Sequence, residues 1–87
     1  MKHASPSALQ ELNGLLQQVR SLPGLVEKKP GIFYARSSAY MHFHEDKAGL
    51  FADVKLSGKE FVRFPVNTPE QQATFLLQVR ASRAPGG

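Results

Sequence analysis

Ala39-Tyr40-Met41-His42-Phe43-His44-Glu45 and, one turn later, Leu50-Phe51-Ala52-Asp53-Val54-Lys55-Leu56 decide the fold. Both stretches alternate. In the first, Met41 and Phe43 share one side while Tyr40, His42 and His44 share the other. In the second, Leu50, Ala52, Val54 and Leu56 oppose Phe51, Asp53 and Lys55. A period of two marks a strand with one buried face, because successive side chains leave the backbone on opposite sides. Asp46-Lys47-Ala48-Gly49 between them reads as a turn, with Gly49 free to take a positive φ.

Working outward, Ile32-Phe33-Tyr34-Ala35-Arg36 is a strand of aromatic and β-branched residues, followed by a Ser37-Ser38 turn. Downstream, Ser57-Gly58-Lys59 reads as another tight turn, leading to a fourth strand over 60–64. Three short connections in succession imply a meander, since only antiparallel neighbours can be joined so closely. Upstream, Leu25 and Val26 are expected under the sheet edge or in a short strand. Lys28-Lys29-Pro30-Gly31 is read as a loop.

Two helices flank these strands. Leu9, Leu12, Leu15, Leu16, Val19 and Leu22 recur at three- and four-residue spacing, which predicts one helix over 6–21. Ser5-Pro6 starts it, Ser7 with Gln10 offers a second capping box, and Pro23-Gly24 ends it. Gly14 inside the helix reads either as a site of close packing or as a tolerated residue. Thr68-Pro69-Glu70-Gln71 is a strong start for a last helix running to Ser82. Ala73, Phe75, Leu76, Val79 and Leu77 are the candidates for its apolar face. The expected fold is thus α+β: a two-layer α-β-β-β-β-α domain over residues 1–84, with a four-stranded antiparallel meander and both helices on one face. Residues 85–87 are expected to be a disordered tail.

At 87 residues, the chain has room for one thin core. With no cysteine, disulfides, thiolate zinc sites, iron–sulfur clusters and cysteine nucleophiles are excluded. No apolar run reaches membrane-spanning length, and Met1-Lys2-His3-Ala4-Ser5-Pro6 lacks the apolar core of a secretion signal, so the expectation is a cytoplasmic protein. A net charge of +4 favours anionic partners. The basic residues are scattered, with Lys28-Lys29 the one adjacent pair, so a merely solvated surface accounts for them as well.

Placing the helices on one face leaves the other open, and that face carries chemistry. Tyr34, Arg36, Tyr40, His42, His44, Phe51, Asp53 and Lys55 fall on it, with Arg63 a further candidate. Aromatic residues interleaved with arginine are the composition of binding patches. Strand propensity alone also puts such residues on strands. Tyr34, Arg36, Tyr40, His42 and His44 are the candidate ligand-binding residues. His42 and His44, two apart on a strand, point the same way and can chelate a metal, with Asp53 of the next strand as the carboxylate. His3 is read as lying in a mobile terminus. A plainer arrangement is equally open: one histidine bonded across the strands, and Asp53 paired with Arg36 or Arg63.

Catalytic patterns are weak. No serine sits in a Gly-x-Ser-x-Gly elbow, Glu45-Asp46 is an ordinary turn pair, and the glycines are isolated in turns rather than gathered into a phosphate loop. Exposed aromatics on a sheet can stack bases, which allows weak nucleic-acid binding. Lys59-Glu60-Phe61-Val62-Arg63-Phe64, however, lacks the glycine of the RNA-binding sheet motif.

Two family likenesses accompany these residues. Leu22-Pro23-Gly24-Leu25-Val26-Glu27 after a first helix resembles the opening of the small bacterial MmcQ/YjbR-like proteins. The run from His42-Phe43-His44-Glu45-Asp46 through Gly49-Leu50-Phe51-Ala52-Asp53-Val54 is similar to the histidine-rich core of a bacterial group carrying a "luciferase domain" label. The second likeness spans residues 22–80. It implies a bacterial cytoplasmic domain with a helix-flanked antiparallel sheet, and no defined catalytic residues. The label does not imply light emission, since the chain has no flavin motif.

The function expected from these readings is a non-catalytic binding or interaction module that uses the open sheet face. Its partner would be a protein or a small anionic ligand, with no cofactor and no membrane, and the chain would be a monomer or a homodimer. The alternatives are a small metal-binding protein or metal-dependent enzyme centred on His42, His44 and Asp53, and a weak nucleic-acid binder.

Overall fold

A computed structural model describes residues 2–83. The alternating stretches form the two central strands of an antiparallel sheet. In chain order the elements are β1 (Lys2–His3), α1 (Pro6–Glu11), α2 (Asn13–Arg20), β2 (Leu25–Lys29), β3 (Ile32–Ala35), β4 (Ser38–Asp46), β5 (Gly49–Val54), β6 (Val62–Pro65) and α3 (Pro69–Ser82). The sheet runs β2-β3-β4-β5-β6, and β1 pairs with β4 beyond the end of β3.

The antiparallel α+β architecture is as expected, but the expected four strands and two helices are too few. Leu25 and Val26 lie in a short edge strand, one of the two placements expected for them, and that strand continues through Lys28 and Lys29, which the sequence reading puts in a loop. Lysines suit an edge because their charge discourages further strand addition. The Pro30-Gly31 turn, with Gly31 at φ +77°, folds this strand back onto β3. The predicted helix over 6–21 is split at Leu12, whose backbone (φ −90°, ψ 7°) leaves helical geometry. The bend seats Leu9 over Gly31, where a Cβ would lie 2.8 Å from Leu9 Cδ2. Gly14 is not a packing site: apart from its own helix backbone, nothing among the described residues comes within 4 Å of a Cβ placed there.

Both helix starts follow their sequence signals. The Ser5 side chain accepts from the Ala8 amide, with Pro6 in the first turn. Thr68 Oγ1 accepts from the Gln71 amide at 3.1 Å, and Gln71 Oε1 accepts from the Thr68 amide at 3.3 Å, closing the box. Ser7 Oγ meets Ser5 Oγ rather than capping a second start.

One apolar cluster joins the helices to one side of the sheet. It takes Leu12 from the break between α1 and α2, Leu15, Leu16 and Val19 from α2, and Phe75, Leu76 and Val79 from α3. The sheet contributes Phe33, Met41, Phe43, Ala52 and Val54. Phe75 packs edge-on against both Phe43 and Phe64. Leu77 and Ala73, candidates for the α3 core face, are exposed instead. The 57–59 turn and the start of the fourth strand are also corrected. Residues 55–61 form an irregular connection, and β6 begins at Val62.

Two β-bulges re-aim side chains. In β4, Phe33 pairs with Met41 but Tyr34 pairs with Ala39, so Tyr40 is an extra residue. An extra residue breaks the alternation. Tyr40 and Met41 are both buried, and the Tyr40 hydroxyl lies 3.4 Å from Ser82 Oγ on α3. In β2, Glu27 pairs with Phe33 and Lys29 with Ile32, so Lys28 is the extra residue. Glu27 turns back to Arg20 of α2, receiving two hydrogen bonds of 2.7 and 3.0 Å.

Candidate functional site

Strand register builds the open face in two cross-sheet rows. Ile32, His42, Asp53 and Arg63 stand side by side across β3, β4, β5 and β6. The adjacent row is His3, His44, Phe51 and Pro65 across β1, β4, β5 and β6. Directly paired residues of antiparallel strands share a face, so both rows lie on the side away from the helices.

The centre of this face is charged and ordered. Asp53 is 8 % exposed and receives a bidentate pair from Arg63, Nε to Oδ1 at 2.7 Å and Nη2 to Oδ2 at 2.9 Å. Of the partners open to Asp53 in the sequence, Arg36 and Arg63, the structure selects Arg63 because β6 lies directly beside β5. The Arg63 guanidinium holds the Asp53 carboxyl below its ordinary value. On its other side, Asp53 Oδ2 lies 3.3 Å from His44 Nε2. His44 is largely buried, and its Nδ1 has no hydrogen-bond partner among the described residues.

His3 completes the group. β1 sets it opposite His44, so it is not in a mobile terminus. Ring centroids are 5.3 Å apart for His3–His44, 5.6 Å for His42–His44 and 6.0 Å for His3–His42. Phe61, from the irregular connection, covers His42 at 4.7 Å, and Lys55 Nζ lies 5.0 Å over the Phe61 ring. Burial under this cover pushes the His42 pKa below its ordinary value, and nearby His44 and His3 add to the effect.

Beside the histidines, a cleft of about 270 Å³ opens between β1 and the β2–β3 edge, lined by His3, Lys28, Lys29, Ile32, Tyr34 and His42. The bulge at Lys28 brings both lysines to this cleft, and Lys28 Nζ stands 4.4 Å over the Tyr34 ring.

Of the sequence candidates, the structure therefore brings together Tyr34, His42, His44 and Asp53. Tyr40 is corrected: its ring is buried against α3, with the Arg83 guanidinium 5.1 Å above it. Arg36 is corrected as well. It sits exposed in the β3–β4 turn at φ 51°, beside Ser37 at φ 69°, away from the cluster. Sequence reasoning missed His3, Lys28, Lys29 and Phe61 as members of the face. The Lys28-Lys29 pair was the one visible signal.

The chain matches no family model, no curated protein and no solved structure. Among the described residues, no helix is long and apolar enough to cross a membrane.

Proposed function

We propose that this protein is a small binding module, not an enzyme, and that its open sheet face receives a small anionic ligand. The observation that carries this reading is the cleft in which Lys28 and Lys29 converge with Tyr34, His3 and His42. Two ammonium groups attract a phosphate or carboxylate, and the histidines add hydrogen-bond donors. Tyr34 supplies a flat wall for a ring or an acyl chain. The volume suits a small molecule, since drug-sized sites begin at about 300 Å³. The net charge of +4 works in the same direction by drawing anions to the surface.

The test is a ¹H–¹⁵N NMR titration with inorganic phosphate, then adenosine 5′-monophosphate, then a short single-stranded oligonucleotide. Saturable shifts at Lys28, Lys29, Tyr34 and His42 with either small anion are expected, with their loss in the Lys28→Ala/Lys29→Ala double variant. The absence of shifts with both small anions overturns the reading. Shifts with the oligonucleotide alone would turn the same face into a nucleic-acid surface. The binding should weaken as salt rises, because these charges are exposed.

A further inference from the structure

Resting on the anion reading of the cleft, we propose that the cleft takes up a doubly charged oxyanion together with a proton, and that the imidazole of His42 holds the proton. The cleft is lined by Lys28, Lys29, His3 and His42 beside Ile32 and Tyr34, with no carboxylate among them. A partly buried imidazolium needs a counter-charge. His42 has none to spare. Its cross-strand partner Asp53 is already held by two bonds from Arg63 of β6, at 2.7 and 2.9 Å. The other groups whose charge acts on His42 are His44 of its own strand, His3 of β1 and Lys55 just beyond β5, and all three oppose a positive charge there. Burial, under the Phe61 ring at 4.7 Å, opposes it more strongly still. From β2 and β3 the cleft brings Lys28, Lys29, Tyr34 and Ile32, none of which is an anion near neutral pH.

An anion in the cleft supplies the missing counter-charge. Binding then raises the His42 pKa, and by thermodynamic reciprocity protonation of His42 tightens the anion. Above the His42 pKa of the bound form, the imidazole is neutral in both states and affinity does not vary with pH. As pH falls from there to the His42 pKa of the free protein, affinity climbs, and below that it is level again. A rise of about one unit in that pKa corresponds to about a tenfold gain in affinity. His42 is the group that couples, because Phe61 and the strands shield it from solvent and a nearby charge acts on it through a poorly screening medium. His3 also lines the cleft but is exposed, where water and salt screen the same charge. His44 sits against Asp53, its Nε2 3.3 Å from Oδ2, and does not line the cleft. Among the described residues no group of three His, Cys, Asp or Glu side chains is placed to hold a metal ion, and the imidazoles act here as titrating groups.

The test uses sulfate, which keeps its double charge between about pH 5 and pH 8, whereas phosphate titrates inside that range. Isothermal titration of sulfate should show an affinity about five- to tenfold higher at pH 5 than at pH 8. Near pH 6, comparison of two buffers with different ionisation heats should show net proton uptake on binding. NMR titration of the ring protons should show the His42 pKa rise by about one unit in saturating sulfate, a readout that needs no variant. His42→Gln should lose the acid gain and His3→Gln should keep most of it, with ¹H–¹⁵N spectra confirming that both are folded. Equal affinity at pH 5 and pH 8, or an undiminished acid gain in His42→Gln, overturns the proton coupling while leaving the anion reading in place. No sulfate binding at either pH overturns the coupled uptake of a dianion. If phosphate and adenosine 5′-monophosphate also fail to bind, the anion reading falls with it.

Discussion

His3 and His44 stand directly opposite each other in the pairing of β1 with β4, their rings 5.3 Å apart. This two-residue strand extends the sheet only enough to add a third imidazole to the β4 pair. Because His3 is exposed, its side chain contributes little to the fold. His3→Ala is expected to change the stability of the apo protein by no more than about 0.5 kcal/mol, as read by urea denaturation. A loss of several times that value would make His3 a structural residue.

Phe61 and His42 form the next testable pair. Burial is the first cause of the lowered His42 pKa, and the Phe61 ring covers the imidazole at 4.7 Å. Phe61→Ala should let the His42 pKa rise toward its ordinary 6.5, followed by NMR titration of the ring protons. The folded protein resists protonating His42 more than the unfolded chain does. Acidification from about pH 6.5 through the folded pKa therefore subtracts stability in the wild type, and subtracts less in the variant. His44, His3 and Lys55 oppose protonation of His42 and Asp53 favours it, so the variant retains part of the shift.

Asp53 and Arg63 govern the acid limb. The Asp53 pKa lies below 3.8, so its stabilising contribution is complete above about pH 5 and is lost as pH falls through the folded value. Arg63→Gln leaves a buried carboxylate without its bidentate partner. The variant should be less stable than the wild type at pH 7, and the gap should close as pH drops below about 4. Denaturation curves across pH 2–7 check this; a gap independent of pH would mean that Arg63 acts through packing alone.

Tyr40 separates the two faces. With its ring buried and its hydroxyl 3.4 Å from Ser82, Tyr40→Ala should cost about 3–5 kcal/mol, in the range of large aromatic-to-alanine core substitutions. Tyr40→Phe should cost no more than about 1 kcal/mol. Neither should alter ligand titrations at Lys28 or Tyr34. A near-neutral Tyr40→Ala would return the ring to the open face.

Much of this architecture is legible from local chemistry. The alternation of Met41, Phe43, Ala52 and Val54 assigns the two central strands and their buried face, because pleating enforces a period of two. Ser5-Pro6 and Thr68-Pro69-Glu70-Gln71 mark helix starts, because capping is satisfied within four residues. The presence of His42, His44 and Asp53 on the face away from the helices follows from that alternation alone.

What the sequence could not decide depends on partners distant along the chain. The bulges at Tyr40 and Lys28 are settled by register against β3, and each reverses the side an alternating pattern assigns. One moves a tyrosine into the core; the other adds a lysine to the cleft. β1 is too short to carry any periodicity, and it exists because the end of β4 has backbone groups left unpaired by β3. Phe61 belongs to the site only because residues 55–61 fold back over His42. The sequence by itself determined the two central strands, the helix starts and much of the chemistry of the open face, all of which are short-range steric and hydrogen-bonding matters. Only the tertiary structure decided which residues meet there, because register and closure are set by pairing between segments that the chain order does not place side by side.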